Sequence, residues 1–367
     1  MDEREALVAL NMVDGAGPVT IQALLGAFGS AEAVTNADER QLAEVRGVSP
    51  RIAGAIVEQR KQGGWLREQE KAEKAGARII TVLDEEYPRN LKEIHDPPPV
   101  LYVRGGFVSG DRHAIAVVGS RRATHYGRGT AERLAYGLVK SGMTVVSGLA
   151  EGIDTAAHRG ALSARGRTIA VIGSGLNCLY PPSNTDLAER IAQSGAVVSE
   201  FPLDRQADRS TFPIRNRVVS GLSQGTVVVE GGRRSGALIT ASQALEQGRT
   251  VFAVPGRIDS HSSAGANSLI KNGACLVSNV DDILNEFEFL ISPRHAGDDA
   301  EGRRAPLTDR EASVVALLEN GESNVDALIR NTGMRPGEMS ALILGLEMKK
   351  VVRMLPGRIV AKRTSSG

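Results

Sequence analysis

Two arginines stand directly behind a strand-like run in "AIAVVGSRRATHYGRG" (114–129), where Gly119 and Ser120 mark a turn before a helix. Free N–H groups and the dipole at such a helix start attract phosphate. Arg121 and Arg122 would add charge-assisted hydrogen bonds. Two more stretches repeat the theme. "FPIRNRVVSGLS" (212–223) sets Arg215 and Arg217 around Asn216 after another strand end, and "GGRRSGALIT" (231–240) brings Ser235 and Gly236 into a second helix-start loop. Several phosphate-sized sites along one sheet edge suit a strand of nucleotides better than a single mononucleotide. Phe212 and Tyr180 lie beside these loops. Their rings are either packed or available for stacking on bases.

Other chemistries fit less well. "VIGSGLNC" (171–178) begins like a dinucleotide loop, with Gly173 and Gly175, but Cys178 stands where a third glycine or alanine belongs. The acid expected ~20 residues on is not clearly placed, since Glu200 follows Gly173 by 27 residues. There is no GxxxxGK(S/T) triphosphate loop. "GIDTAAH" spaces Asp154 and His158 four apart on one helix face, an arrangement open to acid/base work, to half a metal site, or to an aspartate buttressing a histidine. Glu230 ends a strand at the cleft, next to a segment resembling the GGxGTxxE motif of some sugar-cleaving enzymes. Here Ala237 follows Gly236 and Thr240 replaces the glutamate, which argues against hydrolysis. No catalytic residue and no metal or other cofactor is expected.

The elements that must position these loops can be read from apolar runs. "AIAVVG" (114–119), "MTVVSG" (143–148), "TIAVIG" (168–173), "AVVSE" (196–200), "TVVVE" (226–230), "TVFAVP" (250–255) and "ACLVS" (274–278) are continuous rather than alternating. Such runs mark strands buried on both faces, hence a parallel sheet. Helix-length amphipathic segments lie between most of them, giving a doubly wound Rossmann-like α/β core over 111–290 with ligands expected at the carboxyl ends of its strands. Residues 1–75 read as a small all-α domain. "LVALNMVDGAGPVTIQALLGAFGS" (7–30) and "LAEVRGVSPRIAGAIVEQR" (42–60) are helix pairs around glycine turns, as in helix-hairpin-helix elements. Residues 76–110 form a proline-rich connector running extended against the core, and 291–305 a polar linker. Residues 306–367 read as a winged helix: Thr308 with Glu311 makes a capping box, three helices follow, and Pro356-Gly357 turns a terminal hairpin.

Bulk properties agree with a soluble protein. The net charge is +1, yet residues 111–280 hold 19 Lys and Arg against 12 Asp and Glu, and 17 of the 19 are arginine, the residue suited to bidentate phosphate contacts. An ordinary solvated surface would look the same on charge alone. Cys178 and Cys275 lack CxxC spacing, so neither a zinc site nor a disulfide framework is expected. The charged "MDEREALVAL" has no apolar signal core and no apolar run approaches ~20 residues, so a cytoplasmic protein without membrane association is expected.

Taken in order, "AVVGSRRATHYG", "VVSGLAEGIDTAAHRGAL", "TIAVIGSGLNCLYPPSN", "FPIRNRVVSGLS", "VVVEGGRRSGALITASQALEQGR" and "AGANSLIKNGA" strongly resemble the bacterial DNA-processing protein A family, DprA or Smf. The resemblance spans nearly the whole chain. It implies a non-enzymatic protein that binds single-stranded DNA during natural transformation and homologous recombination, protects it and loads RecA onto it. It also implies a homodimer formed through the Rossmann-like domain, with single-strand-binding protein as a further candidate partner. Carried over by position, it implies Gly119, Ser120 and Arg121, then Arg215, Asn216 and Arg217, then Ser235, Gly236, Leu238, Ile239 and Thr240; Arg122, Asn177, Arg209, Phe212 and Lys271 are expected DNA contacts beside them. Family members often carry a basic residue after the Tyr-Pro pair, but this chain has "PPSNTD" (181–186), so Arg205 or Arg209 is the expected substitute. Two other readings stay open: a nucleotide-binding or nucleotide-sugar-hydrolysing protein using the same cleft, and a duplex-DNA regulator led by the winged helix.

Overall fold

The computed structural model describes residues 1–287, 308–318, 321–348, 351–355 and 359–362. The chain divides into two units, 1–291 and 292–367. The expected linker 291–305 and the Pro356-Gly357 turn lie outside the described residues.

The first unit begins with six helices: α1 (Glu3–Asn11), α2 (Pro18–Phe28), α3 (Ala31–Asn36), α4 (Glu39–Ala43), α5 (Pro50–Gln62) and α6 (Gly64–Lys74). Local chemistry sets their starts. Asp2 and Asp38 each form a capping box with the residue three further on, while Pro18 and Pro50 occupy first-turn positions that lack an N–H partner anyway. The two hairpin turns pass through Gly15 at φ +91° and Gly47 at φ +90°, conformations costly for any residue with a Cβ. Leu7, Leu10, Ile21, Leu24, Leu42 and Ile56 are buried among these helices, and the same apolar cluster continues into Val100, Tyr102 and Val197 of the sheet. Glu68 accepts a hydrogen bond from the Leu203 N–H at 2.7 Å, and Asn11 donates to the Glu200 carbonyl at 3.0 Å. The helical segment is thereby fastened to the core.

The sheet has nine strands: β1 (Arg78–Thr81), β2 (Val100–Gly105), β3 (Ala114–Gly119), β4 (Thr144–Ser147), β5 (Thr168–Val171), β6 (Ala196–Ser199), β7 (Gly225–Glu230), β8 (Thr250–Ala253) and β9 (Cys275–Leu276). Their order is β1-β2-β6-β5-β4-β3-β7-β8-β9. The seven apolar runs are the seven parallel strands. The connector adds β1 and β2, which pair antiparallel along the β6 edge. Its helix α7 (Arg89–Lys92) covers the sheet together with α11 (Thr211–Gly221) and α12 (Gly236–Glu246), while α8 (His125–Lys140) and α9 (Ile153–Ser163) cover the opposite face. Alternation along β3 shows the division: Ile115 and Val117 face α8 and α9, whereas Ala114, Ala116 and Val118 face α11 and α12. Helices α10 (Thr185–Ser194), α13 (Ala264–Lys271) and α14 (Asp281–Leu284) complete the unit. The order reverses between β3 and β7. A doubly wound sheet opens its ligand crevice at that point, beyond the carboxyl ends of the strands.

The second unit contains α15 (Asp309–Leu317), β10 (Ser323–Asn324), α16 (Val325–Thr332), α17 (Pro336–Met348), β11 (Val352–Leu355) and β12 (Ile359–Lys362). The three strands pair in the order β10-β12-β11, around a core that includes Val314, Leu328, Met339, Ile343 and Val360. This is the expected winged helix, and Thr308 and Glu311 form its capping box. No helix among the described residues is long and apolar enough to cross a membrane.

Candidate nucleic-acid interface

A cleft of about 710 Å³ lies where the strand order reverses. The β3–α8 loop, the β4–α9 loop, the start of α11, the β7–α12 loop and residues 261–262 enclose it.

The β3–α8 turn is tight. A Cβ on Gly119 would sit 2.5 Å from Ile153 Cγ1 and 2.8 Å from the Glu230 carbonyl oxygen. Ser120 donates its N–H to that carbonyl at 2.7 Å, and its hydroxyl accepts from the Arg122 N–H at 3.1 Å. The start of α8 differs from the sequence expectation of open N–H groups. Thr124 accepts from the Gly127 N–H at 3.1 Å, and the Glu230 carboxylate takes both the Thr124 N–H at 2.9 Å and its hydroxyl at 3.3 Å. A buried carboxylate therefore already occupies the favourable end of the dipole. With that end of the dipole taken, side chains rather than the helix field are the main attraction for an anion here, although the N–H groups of His125 and Tyr126 carry no hydrogen bond among the described residues.

Those side chains are Arg121, Arg122, Arg209 and Arg234, all exposed and all lining the cleft. Among the described residues none of the four forms an ion pair, although thirteen other pairs occur. The Arg121 guanidinium lies 4.4 Å from the Phe212 ring centroid, and Phe212 packs against Tyr180 at 5.9 Å with a 53° tilt. Tyr180 remains 48% exposed. Across the cleft, Ser235 caps α12 and Gly236 has open space where a Cβ would point. Asn216 donates to the Gly236 carbonyl at 3.4 Å, joining α11 to that turn.

The cleft floor holds a buried cation and a buried acid, each bonded to the backbone. Arg215 is buried and donates to the carbonyls of Gly148 and Val171. Burial pulls its pKa down to about 10, against the attraction of Asp154. Asp154 accepts from the N–H groups of Gly148 and Ala150 at 3.1 and 3.4 Å, and burial raises its pKa despite Arg215. His158 is not bonded to Asp154. Its Nδ1 lies 2.7 Å from the Thr168 hydroxyl, which itself donates to the Val145 carbonyl, so Nδ1 carries the proton. The pair four residues apart is a buttress for strand-end loops rather than an acid/base couple.

Burial, reinforced by the Arg215 charge, holds the His158 pKa at about 3. The unfolded chain protonates this imidazole below about 6.5, so unfolding takes up a proton between there and about 3. Stability is expected to fall with acidification across that window, by at most about 1.4 kcal/mol per pH unit from this group. Denaturant titrations at several pH values should show the slope in wild type and lose it in His158→Asn. An unchanged slope in the variant would assign the sensitivity elsewhere.

The cleft thus brings together Gly119, Ser120, Arg121, Arg122, Arg209, Phe212, Arg215, Asn216, Ser235, Gly236 and Thr240. Three expected contacts lie elsewhere. Arg217 projects from the other side of α11 and is buried against Glu200 and Asp96. Burial pushes the Glu200 pKa up to about 7, against the pull of Arg217. Asn177 donates to Asp204 at 2.8 Å, beside the Lys71–Asp204 pair, and Lys271 ends α13 outside the cleft. Arg205 pairs with Asp208, leaving Arg209 in the cleft. Sequence reasoning passed over Arg234 as a contact. The signal was present: "GGRRSG" repeats the paired arginines of "GSRR" after another parallel strand.

A model of the family described as DNA recombination-mediator protein A matches residues 78–288. A DprA winged helix domain matches 298–358, and a SAM-like helix-hairpin-helix tandem matches 8–62. The chain is 34% identical to Protein Smf of Synechocystis sp. over 98% of its own length and 99% of that protein. It is 38% identical to Protein Smf of Escherichia coli, covering 78% of this chain and 77% of the relative. The X-ray structure of DNA processing protein A from Streptococcus pneumoniae superposes with a TM-score of 0.68 at 36% identity, covering 78% of this chain and 98% of that one. A structure describing the single-stranded DNA binding mode of DNA processing protein A from Helicobacter pylori gives a TM-score of 0.52 at 29% identity, over 58% of this chain and 96% of that one.

Proposed function

Because this chain belongs to the DNA recombination-mediator protein A family, with relatives named DprA and Smf, we propose that its cleft holds single-stranded DNA. One observation carries the reading: Arg121, Arg122, Arg209 and Arg234 converge on one cleft without a carboxylate partner among the described residues, beside the Phe212–Tyr180 pair. Guanidinium groups take the phosphates, each by charge-assisted hydrogen bonds that carry no sequence information. The ring faces take unstacked bases. A duplex keeps its base faces stacked, so only a single strand satisfies both halves of the site. The Helicobacter pylori relative described for its single-stranded DNA binding mode supports the assignment.

The finer reading follows the family resemblance. The protein protects incoming strands during natural transformation or recombination, pairs with a second copy through its Rossmann-like domain, and seats RecA on DNA otherwise covered by single-strand-binding protein. A non-catalytic role is supported by the state of the acids and of His158: Asp154, His158 and Glu230 are each engaged by protein groups. That engagement also weighs against nucleotide-sugar hydrolysis in the same cleft.

Fluorescence anisotropy with a labelled mixed-sequence oligonucleotide, single-stranded and duplexed, tests the proposal. Strong single-strand preference, weakening steeply as salt rises, is expected. Equal or tighter duplex binding would move the nucleic-acid function away from the cleft.

A further inference from the structure

The cleft does not end at its own rim. A second recess of about 550 Å³ adjoins it, and Ser262 lines both. Tyr126, on the first turn of α8, forms one wall and is 57% exposed. Pro255, Gly256, Ser260, Ser262 and Ser263 form much of the rest. Ser260 and Ser262 share a hydroxyl hydrogen bond at 2.8 Å, and the Ser262 carbonyl accepts from the Gly231 N–H at 2.8 Å, tying this wall to the β7–α12 loop. The recess therefore offers a ring face, an apolar floor and hydroxyls able to donate or accept.

Charge distinguishes this exit from the one past Pro213. There the cleft meets, through Pro213, a pocket of about 880 Å³ carrying Asp14, Glu68, Asp96 and Asp204, with Glu200 partly protonated near neutrality, against Lys71, Arg205 and Arg217. An acidic excess repels a phosphodiester chain. The recess beside Tyr126 holds one carboxylate, Glu230, already engaged by Thr124, and one guanidinium, Arg257, paired with Asp259. A strand leaving the arginine-lined cleft meets no net repulsion on this side.

We infer that the recess is a further base-stacking subsite for single-stranded DNA, with the Tyr126 ring as its platform and the strand passing over Ser262 to reach it. This rests on the reading of the cleft as a single-strand site and assigns the direction in which the strand continues. The contact is independent of base identity, since every base offers a π-face.

Anisotropy with a ladder of oligothymidylates tests it on wild type, Tyr126→Ala and Tyr126→Phe. Tyr126 is exposed, so neither variant threatens folding. The shortest strands that bind should bind all three proteins alike. Longer strands should bind Tyr126→Ala roughly tenfold more weakly, while Tyr126→Phe stays near wild type. No loss in Tyr126→Ala, or an equal loss at every length, would overturn the subsite and leave the cleft reading standing. A wild type that binds no single strand at any length would sink the cleft reading first, and this inference with it.

Discussion

Arg121→Ala is expected to weaken binding of unrelated single-stranded sequences alike, by roughly ten- to a hundredfold at moderate salt. A hydrogen bond to a charged group contributes about 1.5–3 kcal/mol, which is that range of affinity; the contact of the guanidinium with the Phe212 ring, 4.4 Å from its centroid, is already made in the free protein and holds Arg121 in place. The salt dependence should flatten as well, the slope of log K against log salt losing about 0.7 for one phosphate contact to a single strand. Arg121→Lys keeps the charge but not the flat cation, so an intermediate affinity is expected. Because Arg121 is exposed and forms no ion pair among the described residues, only its contact with the Phe212 ring is lost from the folded protein, about 0.5–1 kcal/mol, and a small shift in melting separates a binding loss from a folding loss. Normal DNA affinity in Arg121→Ala would show that the site is misplaced.

Arg217→Ala should behave in the opposite way, lowering stability by about 3–5 kcal/mol while the folded fraction binds DNA as wild type does. Its guanidinium is buried between Glu200 and Asp96, and removing it leaves buried carboxylates without their cation. The deficit carries a pH signature. Glu200 already has its pKa raised above that of an unfolded glutamate, chiefly by burial with Arg217 opposing. Without Arg217 the shift grows, and a raised folded-state pKa contributes stability at low pH that is lost as pH rises through it. Denaturation curves should therefore separate wild type from Arg217→Ala more widely above neutrality than at mildly acid pH. Replacing both partners, as in Arg217→Met with Glu200→Gln, should recover much of the loss. Intact stability with weakened DNA binding would return Arg217 to the interface.

These two arginines show where sequence reading succeeded and where it stopped. The seven parallel strands were legible as apolar runs because a strand covered on both faces must be apolar at every position, as "AIAV" in β3 is, although the last, β9, is an edge with Leu276 exposed. The strands β1 and β2 were not, because "RIIT" and "VLYVRG" flank a proline run that reads as connector, and their pairing with β6 is a long-range event. The Gly119–Arg122 turn was legible as a local motif. Arg215 and Arg217 were grouped as neighbours in a loop, but they lie on α11. Residues two apart on a helix diverge by roughly 200°, so one faces the cleft and the other the opposite pocket. Helical periodicity would have separated them had the helix been recognised. Glu230 was visible as an acid near the cleft, whereas its bond to Thr124 joins positions 106 residues apart, and no spacing rule reaches that far.

The closed start of α8 has a consequence for selectivity among phosphates. With Glu230 seated there, the β3–α8 turn offers an anion scattered single charges rather than a ready-made cradle, and no one of them holds a lone phosphate tightly. A free nucleotide engages one or two and bears its whole loss of translational freedom for them. A polymer bears that cost once, after which each further phosphate arrives at the high effective concentration set by the chain already bound. Avidity thus makes ligand length the quantity that the cleft discriminates, and the dissolved pool of small anions competes poorly with a strand.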